Sequence, residues 1–262
     1  MRAGLFWIFF FASLFLVKVT AGLLGLSHSS NDARGQWYGG VMMTALMLAI
    51  TWIFGRTEKM PKVVPGTAFA GGSVMRAVAG VVCVIPLAAL SIVSLKWLVP
   101  GLHFTRTAIP APNIISTLAL FIVLAAYEEI AFRGYPMRRL LCAFRLWPTL
   151  LLVALVFSSY HIVLGWDWSR ALIGTSAGSM LFGMAAVASK KGLAFPIGVH
   201  AGWNFTTWCL GAGGAGIWKM NFQESLGGRV QLLGMCVYLA CMLFGTLLLW
   251  FFKMKMEAPR PS

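Results

Sequence analysis

Acidic residues are scarce in this sequence, which contains only seven Asp and Glu among its 262 residues. Charged residues of either sign make up 11% of the chain, whereas hydrophobic residues make up 59% and the mean hydropathy is +0.82. This composition is typical of polytopic membrane proteins and argues against a separate soluble domain. The net charge of +14 does not indicate nucleic-acid binding, because the basic residues cluster in short loops between apolar runs.

Several common signatures are also missing. The five cysteines are odd in number and contain no C-x-x-C, so we interpret them as small core residues and not as a disulfide framework. The motif H-E-x-x-H is absent, which leaves a zincin-type metal site unsupported. The first apolar run contains Lys18 and lacks a clear small-x-small cleavage site, so we predict an uncleaved first span.

Long apolar runs, by contrast, are abundant. At about 1.5 Å per helical residue, eight of them are long enough to cross about 30 Å of hydrocarbon. The sequence therefore predicts an all-α bundle of about eight transmembrane helices. The predicted spans are 3–26, 37–55, 74–99, 113–135, 147–165, 171–188, 192–212 and 230–252.

The distribution of basic residues predicts the orientation of these spans. Fourteen of the twenty-one Lys and Arg fall in loops on one side, five fall on the other, and Lys18 and Lys96 lie inside spans. By the positive-inside rule, both termini are expected to be cytoplasmic, as an even number of spans requires. The expected location is the bacterial inner membrane.

Two glycine motifs match functional patterns without their structural context. The stretch Gly211–Gly216 satisfies G-x-G-x-x-G, but it follows a membrane span and not a strand, so a flexible outer loop is the better interpretation. The stretch Gly174–Gly178 matches G-x-S-x-G, but a nucleophile elbow needs a strand-turn-helix unit. We interpret it as a close-packing G-x-x-x-G pair inside a span.

Two adjacent carboxylates, Glu128 and Glu129, lie within the fourth apolar run. Ionised groups in hydrocarbon are costly and usually mark function, although both could also lie at a helix end and reach the surface. Residues four apart share a helix face, so Glu129 is predicted to form a structural pair with Arg133. Glu128, about 100° away, is left free to handle protons or a water molecule.

Two histidines also lie within spans. His161 follows Phe157 by four residues, and His200 precedes Asn204 by four. A lone intramembrane histidine is commonly a packing residue, but two beside two carboxylates favour catalysis. Asn204, on the same helical face as His200, is predicted to orient that ring or to donate to an oxyanion, and an interhelical hydrogen bond is the alternative.

Glu128-Glu129-x-x-x-Arg133-Gly134, Phe157-x-x-x-His161 and His200-x-x-x-Asn204 together resemble the three-motif pattern of the CPBP (CAAX prenyl protease and bacteriocin-processing, or Abi) intramembrane proteases. The resemblance covers about 112–210. It implies a core over 111–212, with residues 1–110 forming spans without an assigned motif and residues 213–262 forming an outer loop, a last span and a cytoplasmic tail.

The resemblance implies an all-helical membrane endopeptidase, similar to the type II CAAX prenyl endopeptidases. The implied catalytic set is Glu128, Glu129, Arg133, His161, His200 and Asn204. The implied partners are membrane lipid and a peptide or protein substrate that is lipidated or carries a C-terminal sorting segment. No cofactor is expected, although Glu, His and His could hold zinc. A non-proteolytic partner-binding or immunity protein and a proton-coupled transporter are the alternatives, and the related halves typical of transporters are not visible.

Overall fold

The computed structural model describes residues 2–26, 32–59, 71–189, 191–212, 214 and 216–257. These residues form an all-α bundle with one small sheet. The helices are α1 (Arg2–Leu23), α2 (Ala33–Thr57), α3 (Ser73–Leu98), α4 (Ala111–Arg133), α5 (Tyr135–Leu141), α6 (Leu146–Val163), α7 (Ser176–Ala188), α8 (Ala194–Cys209) and α9 (Gly227–Glu257). A π-helical turn (Arg170–Thr175) leads into α7, and a 3-10 turn (Glu224–Leu226) leads into α9.

The predicted fold class is confirmed, and each predicted span corresponds to a helix with similar bounds. Seven of the described helical segments are long and apolar enough to cross a membrane, which makes the chain a multi-pass membrane protein. The exception is α8, which has 16 residues and is therefore about 24 Å long. The predicted seventh span is thus a helix, but it is shorter than the run 192–212 suggested.

A two-stranded antiparallel sheet links two loops that no sequence pattern predicts to pair. Strand β1 (His103–Arg106) follows α3, and strand β2 (Trp218–Asn221) follows α8, with His103 opposite Asn221. The Thr107 hydroxyl donates to the Gly216 carbonyl and extends this contact. The predicted glycine-rich outer loop therefore leads into a strand, and its positions 213 and 215 lie outside the described residues.

The position of this sheet shows whether the short helix α8 crosses the bundle. Because β1 and β2 are paired, the start of α4 and the end of α8 must lie at the same side of the bundle. The chain between them passes through α4 with its continuation α5, then α6, α7 and α8. An even number of crossings is needed to return to the same side, so α8 counts as a crossing despite its length.

Glu58 joins three elements at the opposite end of the bundle. Its side chain is 4% exposed and lies 3.0 Å from Arg2 Nη1 and 3.3 Å from Arg139 Nε, and it also accepts a hydrogen bond from the Tyr135 hydroxyl. Burial acts to raise the pKa of Glu58, but the hydrogen bonds from Tyr135 and Arg2 and the charge of Arg139 lower it below the ordinary value of 4.5. The start of α1, the end of α2 and α5 therefore lie together.

The helix path around Pro136 resolves a question that the sequence left open. Helix α4 ends at Arg133, Gly134 adopts a non-helical conformation, and α5 starts at Tyr135 with Pro136 in its first turn, where a missing N–H costs nothing. Tyr135, Pro136 and Met137 are buried, so this segment does not lie on the surface. Despite the break at Gly134, matching residues of the fourth and fifth predicted spans still lie at the same depth in the bundle.

Glycines set the position of α8 against α3. A Cβ atom added at Gly198 would lie 2.0 Å from the Ala77 carbonyl oxygen, and one added at Gly80 would lie 2.3 Å from the Phe195 carbonyl oxygen. One added at Gly202 would lie 2.8 Å from the Val81 Cα atom. Only glycine allows this backbone approach, which is the small-residue packing typical of membrane helices. The pair Gly198 and Gly202 brackets His200, so this contact positions that histidine.

Of the predicted close-packing pair Gly174 and Gly178, only Gly178 packs closely against another helix. A Cβ atom at Gly178 would lie 2.6 Å from the Tyr238 hydroxyl of α9, and one at Gly174 would lie 3.6 Å from the Met235 methyl group. Ser176, the serine of the pattern, forms a 2.7 Å hydrogen bond with the Ser158 hydroxyl of α6. The stretch lies in helix and not in a strand-turn-helix unit, so it is not a nucleophile elbow.

Candidate active site

Glu128 and Glu129 lie one turn before the end of α4 and point in different directions. Glu129 is fully buried, and Glu128 is 9% exposed. Helical geometry separates adjacent side chains by about 100°, so the two carboxylates meet different neighbours. Glu128 is near Tyr160 of α6, Glu129 is near Arg133 of α4, and both are near His200 of α8.

Glu129 pairs with Arg133, as its spacing of four residues predicts. Arg133 Nη1 donates to Glu129 Oε1 over 3.2 Å, and both side chains are 0% exposed. Arg133 Nη2 donates to the Ser179 hydroxyl over 2.8 Å, which ties α4 to α7. Arg133 is therefore a cation of the bundle interior, although the fourteen basic residues assigned to loops on one side include it.

Aromatic rings enclose the Arg133 guanidinium. Its carbon lies 4.4 Å from the centre of the Phe157 ring, 5.7 Å from that of Phe182 and 5.8 Å from that of Phe132. Rings at these distances stabilise a cation and exclude water from it. The phenylalanine of the Phe157-x-x-x-His161 motif therefore covers the ion pair of α4.

His200 lies between the two glutamates. Its Nδ1 donates to Glu129 Oε1 over 2.9 Å, and its Nε2 lies 3.6 Å from Glu128 Oε2. The Phe182 ring stacks on the imidazole with centroids 4.0 Å apart and planes inclined by 16°. Because a carboxylate that already accepts from Arg133 can only accept, the Nδ1 atom carries a proton, and Nε2 is turned toward Glu128.

His161 is held in a similar way by its own helix. Its Nδ1 donates over 2.9 Å to the carbonyl oxygen of Phe157, one turn earlier. The spacing of four residues makes this contact possible, because a helical side chain leans over the preceding turn. The ring lies within electrostatic reach of Glu128, His200 and Arg133, and its Nε2 atom remains available to a substrate or a water molecule.

Glu128 is held less tightly than Glu129. Tyr160 donates to Glu128 Oε1 over 3.4 Å, and the distance of 3.6 Å from Glu128 Oε2 to His200 Nε2 is slightly longer than a hydrogen bond. Glu128 therefore has fewer and longer polar contacts than Glu129. The division of roles predicted for the two glutamates fits this difference in their contacts.

Asn204 is the predicted site residue that the structure does not connect to the others. It lies one turn after His200 and is partly exposed, and its amide forms no hydrogen bond with another residue in the described part of the chain. The His200 ring is oriented by Glu129, a contact between helices that the sequence did not predict. The Asn204 amide is therefore unengaged and open to a ligand.

Sequence reasoning missed three polar residues around the site. Tyr160 contacts Glu128, Tyr127 contacts Tyr160, and Ser179 contacts Arg133. Both tyrosines directly precede a motif residue, Glu128 or His161, and a hydroxyl inside an apolar run is itself a signal. Ser179 gave a weaker signal, because small polar residues are common where membrane helices pack.

The residues do not form a ready metal site. Over the described ranges, no three His, Cys, Asp or Glu side chains are arranged as ligands of a single ion. His161 and His200 do have their Nδ1 atoms anchored, as metal-binding histidines usually have. However, Glu129 is engaged by both Arg133 and His200, which leaves Glu128 as the carboxylate of the cluster that Arg133 does not bind.

Fold and site together define a multi-pass helical membrane protein in which glutamates and histidines from three helices meet at a buried site. Residues 110–206 of this chain match the family model for Rce1-like proteins, the type II CAAX prenyl endopeptidases. This range is a little over a third of the chain and contains all six predicted site residues. It confirms the resemblance to the CAAX protease family. No curated protein matches the chain.

Proposed function

We propose that this protein is an intramembrane endopeptidase that hydrolyses a peptide bond with a water molecule activated by Glu128 and the two histidines. The observation that carries the proposal is the placement of His200 between Glu128 and Glu129 inside the Rce1-like region. The match of this region to the Rce1-like family favours an endopeptidase over a transporter or a purely structural bundle.

Peptide hydrolysis needs a base for water, a group that stabilises the oxyanion and an acid for the leaving amine. In the proposed reaction, Glu128 accepts a proton from water while the water oxygen attacks the carbonyl carbon. His161 Nε2 accepts a hydrogen bond from the other O–H of that water, which stays on the oxygen, and so orients the attack. When the tetrahedral intermediate collapses, the C–N bond breaks and Glu128 returns the proton to the amine nitrogen.

The developing oxyanion needs a donor, and two groups on α8 can provide it. The Asn204 amide forms no hydrogen bond with the residues that the structure describes and can donate directly. His200 Nε2, which faces Glu128 Oε2 over 3.6 Å while Nδ1 is held by Glu129, is the second proposed donor. Glu129 and Arg133 are proposed to act indirectly by holding His200 in place.

The proposed substrate is a membrane-associated peptide or protein that is lipidated or has a C-terminal sorting segment, because the site lies among spans and the matched family consists of CAAX prenyl endopeptidases. Membrane lipid is the surrounding partner. We further propose that both termini are cytoplasmic in a bacterial inner membrane. This orientation would place the ends joined by Glu58 in the cytoplasm and the β1–β2 sheet outside.

Single cysteines at two exposed lysines test the orientation. With a membrane-impermeant maleimide, Lys219→Cys in β2 is expected to be labelled in intact cells, and Lys59→Cys, after α2, only after permeabilisation. The unsubstituted chain is the control for its five native cysteines. Labelling of both positions from the same side would contradict the fold, and the reverse pattern would contradict the proposed orientation.

Chelation tests the choice between a glutamate and a metal mechanism. The purified protein is placed in liposomes and incubated with a peptide library of prenylated and unprenylated C-terminal segments. We expect it to keep its cleavage rate after exhaustive chelation. Elemental analysis is expected to find no stoichiometric metal. Loss of cleavage that equimolar zinc restores would overturn the glutamate mechanism. Proton-coupled uptake without cleavage would replace the protease with a transporter.

A further inference from the structure

Two buried tyrosines connect the site to the bundle through their hydroxyl groups. Tyr127 on α4 and Tyr160 on α6 are 6% and 1% exposed, and their hydroxyls form a hydrogen bond. The Tyr160 hydroxyl also lies 3.4 Å from Glu128 Oε1. No motif of the sequence includes either tyrosine, and the mechanism above does not use them.

The direction of this chain of hydrogen bonds follows from its end. An ionised carboxylate can only accept a hydrogen bond, so the Tyr160 hydroxyl is the donor and Glu128 Oε1 is the acceptor. The Tyr160 oxygen is then an acceptor, and Tyr127 is its donor. Two hydroxyls thus point in sequence toward one carboxylate oxygen, and each would be an unsatisfied buried group if the next were removed.

Packing keeps the Tyr160 ring in place. Phe10 of α1 contacts it edge to face with ring centroids 5.3 Å apart. The ring of Phe132, on α4, lies 5.8 Å away. The ring of His161 lies 4.7 Å from it. Helix α1, which lies outside the Rce1-like range, therefore supports Tyr160, the side chain that contacts the proposed base Glu128.

We propose that Tyr160, held by Tyr127, is a positioning residue for the Glu128 carboxylate. By occupying Oε1, Tyr160 leaves Oε2 directed at His200 Nε2, 3.6 Å away, where the water is to be activated. The other charged or titratable groups near this carboxylate are His200, His161, Glu129, Arg133 and Tyr127, and among the described residues the hydrogen bond to Oε1 comes from Tyr160. This inference rests on the proposed function.

Phenylalanine variants test the contact, because they keep the rings and remove only the hydroxyls. Tyr160→Phe is expected to lower kcat about 10-fold with KM unchanged, since a hydrogen bond to an ionised group at the weak end of its usual range corresponds to about that factor. Tyr127→Phe should lower kcat less. The double variant should fall no further than Tyr160→Phe alone, because Tyr127 acts through Tyr160.

Infrared spectroscopy without substrate gives a second, independent readout. With only seven acidic residues, the Glu128 carboxyl band can be assigned by its loss in Glu128→Gln. It is expected to shift in Tyr160→Phe and to stay in place in the control Tyr238→Phe, which removes a buried hydroxyl near Gly178. An unshifted band, or kcat losses that multiply in the double variant, would overturn the inference. If no peptide is cleaved by any form, the proposed function fails, and the band alone decides the contact.

Discussion

Glu128→Gln is expected to lower the cleavage rate by about 10²–10⁴-fold, the usual contribution of a general base, and to leave the folded protein intact. The amide keeps the size of the side chain and still accepts from Tyr160, but it cannot take a proton from water. Cleavage of a prenylated peptide by purified protein gives the rate, and thermal unfolding in detergent gives the stability.

The matched control is Glu224→Gln, the same change in the turn before α9, where the side chain is exposed. It should leave both rate and stability unchanged. A Glu128→Gln protein that still cleaves at more than about a tenth of the normal rate would remove Glu128 from the proposed role of base. A protein that does not fold would show that Glu128 is instead required for the bundle.

The other site residues extend this test. His161→Ala and His200→Ala are expected to lower the rate to a similar degree, with His103→Ala, in the exposed strand β1, as the control. Asn204→Ala is expected to cost about 10²–10³-fold if its amide serves the oxyanion. Because the Asn204 side-chain amide forms no hydrogen bond with the described residues, its loss should not alter stability.

Hydropathy predicted the helices well, because a membrane-spanning helix is a continuous apolar run and can be recognised from local sequence. The bounds of α4, predicted as 113–135 and observed as Ala111–Arg133, differ by two residues at each end. The shortness of α8 was not predictable in this way, because its flanking residues are apolar even though they lie outside the helix. The β1–β2 pairing joins residues more than a hundred positions apart, and no local pattern encodes it.

Within the site, contacts inside one helix were predictable and contacts between helices were not. The Glu129–Arg133 pair and the spacing of Phe157 and His161 follow from helix geometry. The contact of His200 with Glu129 depends on how α8 lies on α3, and that is decided by the shapes of Gly80, Gly198 and Gly202. These glycines are visible in the sequence, but the sequence does not show which helix each of them faces.

The ion pair gives the largest expected effect on stability. Arg133→Ala would leave the Glu129 carboxylate fully buried with His200 as its remaining partner, and Ser179 would lose its donor. Removing one member of a buried pair typically costs about 3–5 kcal/mol, because the other charge stays out of water. We expect the free energy of unfolding to fall by about this amount and the cleavage rate to fall with it.

Two variants separate this effect from a general loss of positive charge. Arg145→Ala removes an exposed arginine and should change the free energy of unfolding by no more than about 0.5 kcal/mol. Arg133→Lys keeps the charge but not the planar fork that reaches both Glu129 and Ser179, so its stability should lie between those of the wild type and Arg133→Ala. Denaturant unfolding in detergent measures all three. If Arg133→Ala and Glu129→Gln both unfold like the wild type, the pair does not hold His200, and Glu129 must be assigned a direct part in the reaction.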